Sequence, residues 1–206
     1  KLLKIRMSID ILFITPNSSK KVYQDLSKNY SAIEPPTWSL LLAESCRSKN
    51  FKVGILDANA EHLDNVECLN KIRLLEPRLL CFVVYGQNVN AGTTNMVGAV
   101  QLANHIKLNK IQSPIIFVGS YIQALPIKTL EDEKSVDIVC TNEGVYTLHN
   151  LLRLENFNSE DLRNIKGIGY RENNTCKLTP PEKIVPQDRM DIDLPGYAWD
   201  LLPKNK

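Results

Sequence analysis

The chain of 206 residues lacks the short motifs that mark the commonest ligand sites. No GxxxxGK[ST] occurs, and no GxGxxG follows the first apolar run. These absences exclude a phosphate loop and argue against a dinucleotide site of the usual kind. The polar stretch after that run, 16–36, holds no glycine. No GxSxG nucleophile elbow is present. The first run also ends without a carboxylate, since Asp10 stands before it, and this speaks against a phosphoacceptor. The three histidines, His62, His105 and His149, are far apart in sequence. The last two fall on predicted helices and read as surface or satisfied residues. None of the five cysteines is spaced as CxxC. Cys81 and Cys140 lie inside apolar runs, so the set reads as buried reduced thiols rather than as zinc or iron–sulfur ligands. A formal net charge of +2 and the absence of a basic stripe leave no electrostatic case for nucleic acid. No apolar segment has the length of a signal peptide core or a membrane span, so a cytoplasmic protein is the expectation.

A repeated event is present instead. Apolar runs end in small or polar residues and are followed by helical patterns. The runs are Ile11-Leu12-Phe13-Ile14, Val53-Gly54-Ile55-Leu56, Leu80-Cys81-Phe82-Val83-Val84, Ile115-Ile116-Phe117-Val118 and Val136-Asp137-Ile138-Val139. Continuous β-branched runs of this length, with helices between them, are those of a parallel sheet buried on both faces. The expected fold is α/β, a Rossmann-like (flavodoxin-like) doubly wound five-stranded parallel sheet. Strands are predicted over 9–15, 52–57, 80–84, 115–118 and 136–139. Helices are predicted over 37–49, with Thr37 as N-cap, and over 66–75, 95–108, 127–131 and 146–154. The loop 16–36 is predicted to carry a helical turn near 22–27. From 162 the pattern alternates, turns at Asn173-Asn174 and runs back through 175–178, a β-hairpin signal. The expected organisation is a leader over 1–8 with Met7 as candidate start, an α/β domain over 9–156, a β-hairpin extension over 157–185 and a linker over 186–206.

In such sheets ligands bind outside the carboxyl ends of the strands. The candidate site is therefore the set of residues just past each run. Asn17 follows the first. Tyr85, Gly86, Gln87 and Asn88 follow the third. Gly119, Ser120 and Tyr121 follow the fourth, and Asn142, Glu143 and Gly144 follow the fifth. Thr37 and Trp38 open the first helix and line the same cavity, although Trp38 equally suits the core. Glycines and side-chain amides in these loops suit a large planar ligand held by hydrogen bonds. The same residue types are common in ordinary strand-to-helix turns.

Taken in order, these segments resemble the N-terminal cobalamin-binding domain of the B12-dependent radical SAM proteins. Glu34-Pro35-Pro36-Thr37-Trp38-Ser39-Leu40-Leu41-Leu42-Ala43 is similar to the family's double-proline entry to the first helix. Val53 to Ala58 is similar to its second strand. Phe117-Val118-Gly119-Ser120-Tyr121 stands where the family has Gly-Gly-Pro-His. Asp137 to Val145 stands where it has an aspartate-led strand followed by Gly-Glu-Gly-Glu. Ile165 to Arg171 is similar to its I-x-G-I-x-Y-R strand, and Asp191 to Leu202 to its D-L-P-x-P-A-W-D-L-L linker.

The resemblance implies a cobalamin site in which Gly86, Gly119 and Gly144 permit close approach. Gln87, Asn88, Ser120, Asn142 and Glu143 would bond the corrin amides and tail. No CxxxCxxC is present, so S-adenosylmethionine and the [4Fe–4S] cluster are implied only for a radical SAM barrel in cis, absent from this chain. No DxHxxG is present, which implies base-off cobalamin without a histidine ligand. Tyr121, in the histidine's place, either fills space beneath the corrin or blocks it. The implied enzyme is a methyltransferase or a relative doing other radical chemistry, and the fragment alone is not catalytic. Two alternatives stand beside it. One is a degenerate domain of the same fold that binds no cofactor and acts as a docking or substrate-shaping module. The other, a flavin or nucleotide binder, is poorly served by Asn17-Ser18-Ser19. An open polar cavity beside Gly119 and Gly144 would favour cobalamin. One filled by Tyr85, Tyr121 or Tyr146 would favour the docking module.

Overall fold

The computed structural model describes residues 8–18, 34–85 and 89–203. The helical turn expected near 22–27, most of the leader, and Gly86, Gln87 and Asn88 lie outside these residues. Strands β1 (Ile11–Thr15), β2 (Val53–Asp57), β3 (Leu79–Val83), β4 (Ile115–Val118) and β5 (Ile138–Cys140) are all parallel. They lie in the order β2-β1-β3-β4-β5. The hairpin of β6 (Ile168–Glu172) and β7 (Thr175–Leu178) adds to the same sheet, antiparallel on β5, which makes seven strands. The expected five parallel strands and the expected hairpin are both present, and the hairpin extends the parallel sheet to seven strands. Asn173 and Asn174 both take positive φ, 49° and 63°. That is the two-residue turn whose twist matches a hairpin, and asparagine tolerates it.

Alternate residues along each strand face opposite layers. Leu12, Ile14, Leu80, Phe82 and Phe117 pack with helices α2 (Asn65–Leu75) and α3 (Val89–Leu108). Ile11, Phe13, Cys81, Val83, Ile116 and Val118 pack with α1 (Thr37–Arg47) and α6 (Val145–Leu152). Every strand residue of β3, β4 and β5 is buried. A strand covered by helices on both sides has no solvent face, which is why its sequence is a run rather than an alternation.

Helix starts show where local chemistry was misread. Thr37 does not cap α1. Pro36 holds the cap position, with φ −78° and no side-chain cap bond, and Thr37 is the first helical residue. A proline ring already sets a φ near the helical value, so the helix can begin directly after it. Asp64 makes a capping box on α2 with Glu67, a signal the sequence carried. Between β4 and β5 the short helix predicted over 127–131 is α5 (Pro126–Asp132), and a further short helix, α4 (Ser120–Ala124), precedes it. Arg171 of β6 donates to Val136 O at 2.5 Å, to Glu133 O at 2.8 Å and to Leu130 O, tying the hairpin to the end of α5.

The expected linker is folded back on the domain. After α7 (Ser159–Leu162) and the hairpin, the chain forms α8 (Met190–Asp193) and a 3-10 turn at Trp199–Leu201 along α1. Asp193 is 3% exposed. Its carboxylate accepts from Lys49 Nζ (2.9 Å), Tyr146 Oη (2.7 Å) and Arg189 Nε (3.2 Å), and Lys49 above all holds it well below the usual carboxylate range. Ala198 N donates to Leu40 O at 3.2 Å, and the Ala198 side chain is wholly buried. Among the described residues no helix is long and apolar enough to cross a membrane.

Candidate functional site

The sheet order reverses between β1 and β3. From β1 the chain leaves toward α1 on one face, and from β3 toward α3 on the other. A crevice outside the carboxyl ends follows from this topology. Two aromatic rings meet there. Trp38, in the first turn of α1, stacks on Tyr85, just past β3, with centroids 4.9 Å apart and planes 24° apart. Both are half-buried. Tyr85 is held at both ends. Asn95 Nδ2 of α3 donates to its carbonyl at 3.1 Å, and Gln123 Nε2 of α4 donates to its hydroxyl. The same Gln123 amide donates to Asn142 O at 2.8 Å, so one side chain ties the loops after β3, β4 and β5. Burial pushes the Tyr85 hydroxyl well above the usual phenol range, so the ring is neutral. Gln123 was not singled out in the sequence. It lies four residues past Gly119 on a helix only five residues long, too short to leave a periodic signal.

The predicted site residues take different roles. Asn17, Ser120, Tyr121, Asn142 and Glu143 are all half-buried at this end of the sheet, and Thr37 is exposed. Gly119 sits where an added Cβ would lie 2.3 Å from Val84 O. Its bare backbone is what lets β4 end against β3, where Val84 N donates to Val118 O at 2.7 Å. Gly144 has φ +97°, a left-handed backbone that favours glycine. The Asn142 side chain turns back on its own loop. Its Oδ1 accepts from Gly144 N (2.9 Å) and Thr147 Oγ1 (3.2 Å), while its buried Nδ2 is without a partner. Glu143 Oε1 accepts from Val185 N at 3.0 Å. Tyr121 packs on the apolar layer beneath α3, and Tyr146 reaches away to Asp193. Of the three tyrosines weighed in the sequence, Tyr85 is the one at the crevice, which counts toward the docking module.

The histidines lie elsewhere. His62 is in the turn after the edge strand β2, and His105 is near the far end of α3. His149 is 3% exposed on α6, with Nε2 3.0 Å from Ser45 Oγ. Ser45 Oγ donates to Asp193 O at 2.5 Å, which leaves His149 Nε2 as the donor to Ser45. Burial pushes His149 down to about 4, so it is neutral at pH 7. The serine–histidine pair is thus a clasp on the C-terminal segment. The cysteines are unpaired, and burial raises Cys68 and Cys140 to about 12. Among the described residues no three His, Cys, Asp or Glu side chains gather as a metal site.

No protein-family model matches the chain. It is 26% identical over 172 residues to an uncharacterised methyltransferase of Pyrococcus horikoshii, covering 84% of this chain and 35% of that protein. Its fold is similar to that of the radical S-adenosylmethionine methyltransferase TsrM from Kitasatospora setae, in a structure with cobalamin and a [4Fe–4S] cluster bound. There the TM-score is 0.63 at 16% identity, over 88% of this chain and 30% of that one. The cobalamin-dependent S-adenosylmethionine radical enzyme OxsB, solved in its apo form, gives a TM-score of 0.57 at 14% identity, over 94% and 24%. The chain thus spans about a third or less of the length of the proteins it matches. Those neighbours are cobalamin-dependent or cobalamin-loaded radical SAM enzymes, in line with the resemblance drawn from the sequence.

Proposed function

We propose that this chain is the cobalamin-binding part of a B12-dependent radical SAM enzyme, with methyl transfer as the favoured reaction. The observation that carries the reading is the likeness in fold, over 88% of the chain, to a protein with cobalamin bound. The chemistry of the crevice supports it. Asn17 and Ser120, half-buried at the carboxyl end of the sheet, bring amide and hydroxyl groups. These suit a flat macrocycle with amide side chains, and none brings a histidine to the metal. When bound, the group supplies a cobalt centre able to carry a one-carbon unit. The chain's own part is to seat the ring, order its amides and exclude water. S-adenosylmethionine, the iron–sulfur cluster and a barrel in cis belong to this proposal, because the matched proteins are about three times as long.

A second reading draws on specific contacts. Asn142 and Glu143 spend their acceptors inside the fold, as a docking module without cofactor would have them do. One experiment separates the two. The protein, at its full natural length, is mixed with hydroxocobalamin, desalted and examined by absorbance. Retained corrin with a spectrum free of nitrogenous axial ligation is expected. No retention sinks the cofactor reading and leaves the docking module.

A further inference from the structure

The segment after the hairpin is apolar on two sides, and one of them is spent on the domain. Val185, Leu194 and Leu201 pack on the layer of α1 and α6, and Ala198 is wholly buried there. The other side faces out. Ile184 (69% exposed), Met190 (49%), Ile192 (51%), Tyr197 (44%) and Trp199 (52%) are five of the eleven large apolar side chains exposed among the described residues, all within 184–199. Apolar side chains scattered singly over a surface are ordinary, but this concentration in one short segment is not. Tyr197 and Trp199 touch, with ring centroids 5.5 Å apart and planes 34° apart. The backbone beneath them is pinned. Lys49, Tyr146 and Arg189 hold Asp193, Leu40 O holds Ala198 N, and the two terminal nitrogens of Arg47 donate to Asp200 at 2.7 and 2.9 Å. Side chains presented from a fixed backbone lose little freedom when they are covered. An element apolar on both faces is one that lies between two layers.

We propose that this outer face is where the rest of the full-length polypeptide docks, with Trp199 and Tyr197 as anchors and 184–201 as a layer shared by both parts. This rests on the reading above only in taking the chain as part of a longer protein, and it needs no cofactor. The occupant is argued from length. The chain covers 35% of the Pyrococcus horikoshii protein, 30% of TsrM and 24% of OxsB, so the larger part of each lies outside the matched region and must adjoin it somewhere. An aromatic pair flanked by aliphatic side chains has the composition of an interface centre.

The test is hydroxyl-radical footprinting of the full-length protein, read by mass spectrometry at Met190, Tyr197 and Trp199, with the mass in solution followed by sedimentation. All three are expected to be protected in a monomer. The double variant Ile184→Glu, Ile192→Glu puts charge on the face from two exposed positions, and labelling of Trp199 should rise several-fold. Trp199→Ala removes an anchor and should raise labelling of Met190 and Tyr197, which decides the matter should the double variant not fold. Val66→Glu, at a comparably exposed position on α2 (55%), should change nothing. Labelling of Trp199 that is as high in the wild type as in the double variant overturns the docking. So does protection lost on dilution as the sedimenting mass halves, which assigns the face to a second copy of the chain. A natural protein that ends with this chain overturns the docking together with the longer protein. Protection at Trp199 in a protein that retains no cobalamin supports the docking while the cofactor reading falls.

Discussion

Acid should loosen the C-terminal segment through one histidine. His149 is buried against Ser45, whose hydroxyl holds the Asp193 carbonyl, and the charged groups around it are Lys49, Arg153 and Asp193. Burial and the two cations keep it neutral down to about 4, against 6.5 when unfolded. The unfolded chain therefore binds a proton across this window that the folded chain refuses. Stability is fully present above the unfolded value and falls as pH drops from 6.5 toward 4. At about pH 4.5 the loss attributable to His149 is about 2–3 kcal/mol, from roughly 1.4 kcal/mol per unit. Asp193 titrates below that point, because its own value is depressed from 3.8. The assay is urea unfolding of the parent and of His149→Gln at about pH 7.5 and about pH 4.5. Glutamine keeps an amide donor toward Ser45 and does not titrate. The parent should lose about 2–3 kcal/mol more than the variant between the two conditions. Equal losses would refute the reasoning, since they would mean that His149 titrates alike in both states.

Three further outcomes follow from the same contacts. Gly119→Ala places a Cβ 2.3 Å from the Val84 carbonyl, a backbone atom that cannot move without parting β3 from β4. A cost of about 2–3 kcal/mol in urea unfolding is expected, and a neutral result would show that the strand ends are slack. Gly144→Ala meets a tight contact, Val118 Cγ1 at 3.3 Å, and must hold φ near +97°, so about 1–2 kcal/mol is expected from the same unfolding assay. Asp193→Asn removes the charge that Lys49 and Arg189 share. Limited trypsin digestion should then cut at Arg189 several-fold faster while the sheet resists, and unchanged cutting would count against the clasp.

The parallel part of the fold was legible because burial on both faces leaves a simple trace. Runs such as Ile115 to Val118 need no neighbour to be recognised, and the predicted and observed bounds of β4 agree. The hairpin turn was legible for a local reason too, since Asn173-Asn174 can take the backbone it needs. The segment after 186 was not. Its proline and acidic residues read as a linker and said nothing of its packing, in which Asp193 and Ala198 are buried. Their partners, Lys49, Ser45, Tyr146 and Leu40, lie far off in sequence, and an ion pair of that kind leaves no period.

The candidate site divides the same way. The sequence by itself determined which loops gather at the carboxyl edge, because strand order and handed crossovers follow from the β/α alternation. It singled out Gly144 for close approach to a ligand, and the left-handed backbone there came only with the structure. Only the tertiary structure decided which side chains face the crevice. Asn142 curls back on Gly144, Glu143 holds Val185, Tyr121 sinks into the apolar layer, and Tyr85 is turned onto Trp38 by Gln123. Each of those choices is a competition between hydrogen-bond partners that only the folded chain brings within reach.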